Sequence, residues 1–449
     1  MAKPPYLTAP RKSTEMPKGI SNIVGNEAAE RFSFYGMKAI LVIFMTQYLK
    51  NANGELDVMS EPDALVWYHN FLSAAYAFPV LGAIIADGFL GKYRTIIFLS
   101  VAYCLGHLAL ALDESRLGLT VGLSLIALGA GGIKPCVTAH VGDQFGSSNQ
   151  HLLSKVFGWF YFAINIGAFI SMLITPILLQ KFGSHWAFAL PGILMFFATI
   201  VFWMGRHRFV HIPPGGKKFI KETFSKNGFK SMAKIFSIYI FIAIFWSVYD
   251  QNSSAWVLQA RAMDRNWLGI EWLPSQIQAI NGILVLIYIP LFTYLIYPNV
   301  NKVYKLTPLR KIGIGMFLSV PAVLIIAWIE SMIQSGQTPT IAWQLFAYCV
   351  LTAAEVMIYQ TGMEFSYTQS PNNMKSMIMS FYLLSIALGN QVTAIVNRVI
   401  QNADGTTKLE GVSYHLFFTA LIFIAAILFA IYANFYKEQT YMQKEADAT

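Results

Sequence analysis

Glu27, Glu30, Arg31 and Lys38 fall within twelve positions of one segment whose flanks, residues 20–24 and 40–49, are apolar. A charged side chain in a bilayer-spanning helix costs roughly 2.5–3.5 kcal/mol even on the mild insertion scale. Such charges must face a protein interior or a water-filled path. On a helix, Glu27, Glu30, Arg31, Tyr35 and Lys38 form one stripe, and the rest of the surface is apolar. Carboxylates beside cations in such a setting can take up and release protons. The plainer alternative is an ion-pair network that only locks two helices together.

Other ionisable residues also interrupt apolar runs. They are Lys134 in the glycine-rich stretch 129–135, Asp250 in the polar break 246–253, and Glu355, which has no base near it in sequence. His69 and His107 lie inside spans and His140 near a span end, with the amides Asn165, Gln251 and Asn390. Lys134 is too deep to snorkel, which favours pairing or a ligand role. Glu355 must pair across helices, stay protonated or meet a ligand amine. His107 suits a satisfied packing histidine, and Trp246, Tyr35 and Tyr76 suit packing as readily as a pocket. Acids and bases occur in similar number. A cavity of both signs fits a zwitterion, with an amine at one end and a carboxylate at the other, better than a simple ion.

These residues need a membrane scaffold to hold them. The chain has 449 residues, 55% apolar and 12% charged, against about 25% charged in a soluble domain. Apolar runs recur along it, roughly at 20–49, 64–90, 94–113, 117–141, 154–180, 184–204, 235–260, 275–297, 307–332, 339–368, 374–401 and 412–436. The expected fold is therefore all-α and integral to the membrane, with twelve transmembrane helices in two six-helix bundles. The divisions are a tail at 1–19, a first bundle at 20–204, a basic linker at 205–234, a second bundle at 235–436 and a tail at 437–449. Residues 1–19 do not resemble a cleavable signal peptide.

Loop 50–63 carries Glu55, Asp57, Glu61 and Asp63, whereas 205–234 carries eight bases against Glu222. The linker and both termini are then cytoplasmic, and the protein is a multi-pass component of the plasma (inner) membrane. The net charge of +9 is spread over such loops and does not mark a nucleic-acid partner. Cys104, Cys136 and Cys349 suit neither a disulfide framework nor a metal site. No hydrolase, zinc-protease or P-loop motif is present, so no enzyme, metal or cofactor is expected. Gly129, Gly131 and Gly132 read as close helix packing. Six internal prolines, Pro79, Pro135, Pro176, Pro191, Pro290 and Pro321, favour bent helices.

At these residues the chain resembles the proton-coupled oligopeptide transporter family of the major facilitator superfamily. Residues 27–31 match its E-x-x-E-R motif. Residues 82–95 match its signature between the second and third helices, and residues 157–169 its fifth-helix signature. The resemblance implies a symporter that carries di- and tripeptides with protons across the lipid bilayer, functional as a monomer. It implies a proton-coupling cluster of Glu27, Glu30 and Arg31 with Lys134 salt-bridged to Glu27, and a part in proton transfer for His69. Lys38 and Lys134 would receive the peptide carboxylate, and Glu355 with Asn165 its amine. Tyr35, Tyr76, Trp246 and Tyr382 would line the pocket, and Lys38 with Asp250 would form an outer gate. Lys38 stands where the family usually has arginine and Asp250 where many members have glutamate, which shortens that gate pair. Phe34 replaces a tyrosine and Tyr382 a tryptophan. The alternatives are proton-coupled transport of another small solute, such as nitrate or a modified peptide, and a peptide receptor that does not transport.

Overall fold

The computed structural model describes residues 6–10, 12–146, 148–149, 152–223, 225–369, 375–402 and 407–437. Most of the C-terminal tail, including Lys444, lies outside the described residues. In a bilayer each backbone N–H and C=O must be satisfied within its own segment, so long apolar runs become helices. The first half forms α1 (Ile20–Gln47), α2 (Glu61–Ile85), α3 (Lys92–Leu112), α4 (Arg116–Asp143) and α5 (Leu153–Met204). The second forms α6 (Gly216–Thr223), α7 (Lys226–Tyr249), α8 (Ala255–Ala260), α9 (Ile280–Pro290), α10 (Tyr297–Asn301), α11 (Pro308–Gln334), α12 (Ala342–Thr368), α13 (Lys375–Ile400) and α14 (Val412–Phe435).

Among the described residues, ten helical stretches are long and apolar enough to cross a membrane. One of them, Trp159–His207, turns back at Gly183, whose φ of 83° and ψ of 176° break the helix, so it crosses twice. α1 is not among the ten because its charges interrupt the apolar run, yet at 28 residues it is long enough to span. These make twelve crossings. In the first bundle α1 lies along α5, α3 against α4 and α5, and α2 against α4. In the second, α7 packs on α13, and α11 on α12 and α14. Each bundle has its own apolar core, around Tyr103, Phe188 and Phe202 in one and Tyr239, Tyr348 and Phe418 in the other. The bundles meet chiefly where α2 lies along α13.

Two interruptions bring polar groups inside. After α7 a 3₁₀ turn, Asp250–Ser253, leaves Asp250, Gln251, Asn252 and Ser253 buried. After Pro290 a π-helical turn, Leu291–Ile296, bends the span that α10 completes. The connection between bundles is not a bare loop, because α6 lies in it and α7 already starts at Lys226.

Helices come close at the glycine-rich stretch of α4. A Cβ on Gly82 would sit 2.5 Å from the Gly132 Cα, and one on Gly129 would sit 2.8 Å from the Leu99 carbonyl oxygen. Backbone meets backbone there, so neither neighbour can swing away. Gly82→Val should destabilise the protein by about 1–3 kcal/mol or prevent folding. The check is the thermal melting of the monodisperse peak in detergent.

At the end that carries loop 50–63, Glu114 ties three connections together. Its carboxylate is 2.7 Å from Lys50 Nζ and accepts from Ser184 Oγ. It also lies 3.6 Å from His185 Nε2. Burial alone would raise its pKa, but Lys50 and Ser184 hold it below the ordinary carboxylate value of 4.5. Because the folded-state pKa is depressed, this stabilisation is present above pH 4.5 and disappears as pH falls through the lower folded value. Glu114→Gln should therefore lower the melting temperature at pH 7, and the gap to the unmutated protein should close towards pH 3.

Candidate functional site

α1 turns its charged stripe into the first bundle, leaving Glu27 and Glu30 at 1% and 0% exposure. Arg31 Nε donates to Glu27 Oε1 at 2.7 Å and lies 3.2 Å from Glu30 Oε2. One guanidinium thus faces two carboxylates.

Lys134, from α4, approaches the same cluster and is within electrostatic range of Glu27, Glu30, Arg31 and Lys38. The expected Glu27–Lys134 salt bridge is not formed: Arg31 takes Glu27 Oε1, and Oε2 has no hydrogen-bond partner among the described residues. Lys134 Nζ lies instead 3.7 Å from the centroid of the Phe34 ring and 4.3 Å from that of Tyr76. It is buried and has no hydrogen-bond partner among the described residues. A desolvated ammonium over aromatic faces gains about 2 kcal/mol. Phe34, where the resembled family has tyrosine, offers such a face without a competing hydroxyl.

Higher in α1, Lys38 Nζ donates to Asp250 Oδ1 at 2.9 Å, joining the bundles. Both residues are almost fully buried, so the two short side chains do reach each other. Asn390 of α13 donates to the other oxygen, Asp250 Oδ2, at 2.7 Å. His69 of α2, fully buried, contacts Asn390 Oδ1 at 2.7 Å and Ser254 Oγ at 3.1 Å. More ties between the bundles lie at the same end. Arg261 bonds Glu61 at 3.0 Å, Gln401 bonds Asp63 at 3.0 Å, and Gln276 bonds the Leu173 carbonyl at 2.9 Å. The molecule is therefore closed on the side of loop 50–63.

Glu355 sits on α12 and accepts from Asn281 Nδ2 of α9 at 2.8 Å. Asn165 does not join it, because its amide turns back to the Tyr161 carbonyl at 2.9 Å. Aromatic rings wall this region. Trp246 is edge-on to Tyr249 at 5.1 Å and to Tyr359 at 5.9 Å. The Tyr382 hydroxyl donates to the Tyr359 carbonyl at 3.1 Å. Tyr35 is edge-on to Phe34 at 5.7 Å.

Sequence reasoning singled out neither Asn281 nor Tyr359. Both are neutral, and each gains its meaning only from a partner on another helix, Asn281 from Glu355 and Tyr359 from Trp246 and Tyr382. His107 is buried and packs against Tyr103, beside the Phe188 backbone. The cysteines are free, and no group of metal-ligating residues occurs among the described residues.

Twelve crossings in two bundles, with buried charges of both signs where they meet, define the major facilitator fold. The solved structure of the POT family transporter PepTSo shares that fold, with a TM-score of 0.85 and 34% identity over 94% of this chain and 99% of that one. An auto-inhibited POT family peptide transporter is equally similar, with a TM-score of 0.85, 33% identity, and coverage of 96% of this chain and 99% of that one. The POT family profile matches residues 93–228 and 220–412. The chain belongs to the POT, or proton dependent oligopeptide transporter, family.

Among curated relatives, peptide transporter family 1 of Drosophila melanogaster is 36% identical over 373 residues, 71% of this chain and 48% of that protein. Human solute carrier family 15 member 2 is 38% identical over 365 residues, 70% of this chain and 49% of that protein. The chain spans about half the length of the curated relatives it matches.

Proposed function

We propose that the chain is a proton-coupled symporter that imports di- and tripeptides by alternating access and works as a monomer. The observation that carries this is a pair of unspent opposite charges on facing bundles. Lys134 in the first bundle has no hydrogen-bond partner among the described residues, and Glu355 in the second is bonded to a neutral amide. A peptide presents a carboxylate to one and an ammonium to the other. An anion such as nitrate would leave Glu355 without a counter-charge. The relatives named peptide transporters support the same substrate class.

Coupling follows from charge balance. Glu27, Glu30, Arg31 and Lys134 together are neutral when all are ionised. A proton on either glutamate gives the cluster one net positive charge, which a peptide carboxylate at Lys134 neutralises. Losing that proton towards the cytoplasm restores neutrality without the peptide and favours its release. Lys38 adds a second cation for the carboxylate whenever Asp250 releases it. Tyr35, Tyr76, Trp246 and Tyr382 shape the pocket, and Asn165 lies on the wall that faces the amine. His69 passes protons from the side closed by Lys38 and Asp250. One proton moving through 100 mV supplies about 2.3 kcal/mol before any pH gradient. The basic segment 205–234 and both termini face the cytoplasm, in keeping with the positive-inside rule, and the membrane is the plasma (inner) membrane.

The test is uptake of labelled dialanine into proteoliposomes under an inward proton gradient, with and without an uncoupler. Accumulation that the uncoupler abolishes supports the assignment. No uptake by folded protein under a verified gradient would point to another solute or to a receptor.

A further inference from the structure

We infer that Asn390 fixes His69 in its Nδ1–H tautomer, so that the imidazole gains and loses its proton at Nε2, opposite Ser254. The orientation of the Asn390 amide is set from its far side. Nδ2 donates to Asp250 Oδ2 at 2.7 Å and to the Ile386 carbonyl at 3.0 Å, two groups that can only accept. Turning the amide over would put its oxygen against both. Oδ1 is therefore the atom facing His69 Nδ1 at 2.7 Å. A carbonyl oxygen cannot donate, so Nδ1 carries a hydrogen whether the ring is neutral or charged.

The titrating nitrogen is then Nε2, 3.1 Å from Ser254 Oγ. A hydroxyl suits both states. It donates to the bare nitrogen, and when Nε2 is protonated it accepts and turns its hydrogen to the Asp250 carbonyl, 3.3 Å away. The surroundings leave no rival for this part. Asp250 after α7 and Lys38 of α1 are the charged groups within electrostatic range, and Tyr68 on the same helix stands edge-on at 5.1 Å.

Asn390 is thus a positioning residue that touches no substrate. Through one amide it joins the imidazole to the Lys38–Asp250 pair that closes the outer side. A proton arriving at Ser254 raises the positive charge on the ring. Accepting from the charged ring polarises the Asn390 amide and strengthens the donation of Nδ2 to Asp250, in competition with Lys38 for that carboxylate. The same residue that fixes the tautomer therefore reports protonation to the gate.

The tautomer is measured by ¹⁵N NMR of histidine-labelled protein in lipid, with the His69 signals assigned by their loss in His69→Gln. The neutral ring should show its hydrogen on Nδ1 in the unmutated protein. In Asn390→Ala the tautomers should mix, and Asn390→Ser, too short to reach both partners, serves if the alanine variant does not fold. A hydrogen on Nε2 in the unmutated protein, or an unchanged tautomer in a folded variant, would overturn the assignment. A second readout rests on the transport proposal. Charged hydrogen bonds are about twice as strong as neutral ones, so losing Oδ1 should move the pH at which uptake is half-maximal down by about one unit. A purely structural role would lower uptake at every pH and leave that midpoint in place. If the unmutated protein transports nothing, the transport proposal fails, and the NMR result decides the tautomer alone.

Discussion

Lys134→Ala should abolish concentrative uptake of labelled dialanine. In the proposed cycle the lysine both completes the charge balance with Glu27, Glu30 and Arg31 and receives the peptide carboxylate. Losing a charged hydrogen bond to the substrate costs roughly 1.5–3 kcal/mol, which raises the KM by about 10–150-fold. Losing the charge also leaves the cluster with one net negative charge, so its glutamates retain a proton that they would otherwise release. Accumulation against a gradient should therefore vanish even at peptide concentrations that overcome the KM. Lys134→Arg keeps the charge but cannot fit between Phe34 and Tyr76, and should retain weak uptake. Accumulation by Lys134→Ala at the unmutated level would end the charge-balance scheme.

Asp250→Ala should open the outer side. The substitution strands Lys38, which is 5% exposed, and removes one of the two acceptors of Asn390 Nδ2. Breaking one half of a buried ion pair costs roughly 3–5 kcal/mol. That penalty falls on the closed arrangement, because an outward opening would let water reach Lys38. A shift of this size changes a two-state ratio by a factor of about 10² to 5 × 10³. Spin labels at Asn53 and Glu271, both exposed in outer connections, would report it once Cys104, Cys136 and Cys349 have been replaced. The distance distribution should move from one short population to a longer one, and uptake should fall with it. An unchanged distribution would mean that Arg261–Glu61 and Gln401–Asp63 hold the outer side without the buried pair.

Much of this architecture was legible in the sequence because a bilayer punishes exceptions. Apolar runs announce the spans, and a charge inside one announces a reason to be there. Glu27, Glu30, Arg31, Lys134, Asp250 and Glu355 stand out on that ground alone. Partnership was less legible. The Glu27–Arg31 pair is an i,i+4 contact within α1, but whether Lys134 also reaches Glu27 depends on the register between α1 and α4, which no pattern along one helix encodes. The aromatic seat of Lys134 needs Phe34 and Tyr76 from two helices to meet over a residue of a third. Asn281 escaped notice because an amide costs little to insert and becomes meaningful only against Glu355. The start of α7 was placed late because its first turns carry Lys226, Lys230 and Lys234, which look like linker until the helix is seen to run on beyond its apolar part.

Gly183 has a mechanical consequence. The two crossings of α5 are joined by a single residue in a left-handed conformation, with open space where a side chain would point. So short a link gives the hairpin no slack at its outer tip, and its arms can separate only at the opposite end. The hairpin then behaves as a pair of tweezers with a fixed bow. Because α1 packs on both arms, at Ser171 and Thr175 on one and at Pro191 and Val201 on the other, that stiffness is passed to the charged stripe. Movement within the first bundle is therefore directed to the side away from loop 50–63, where the proposed cycle discharges both proton and peptide.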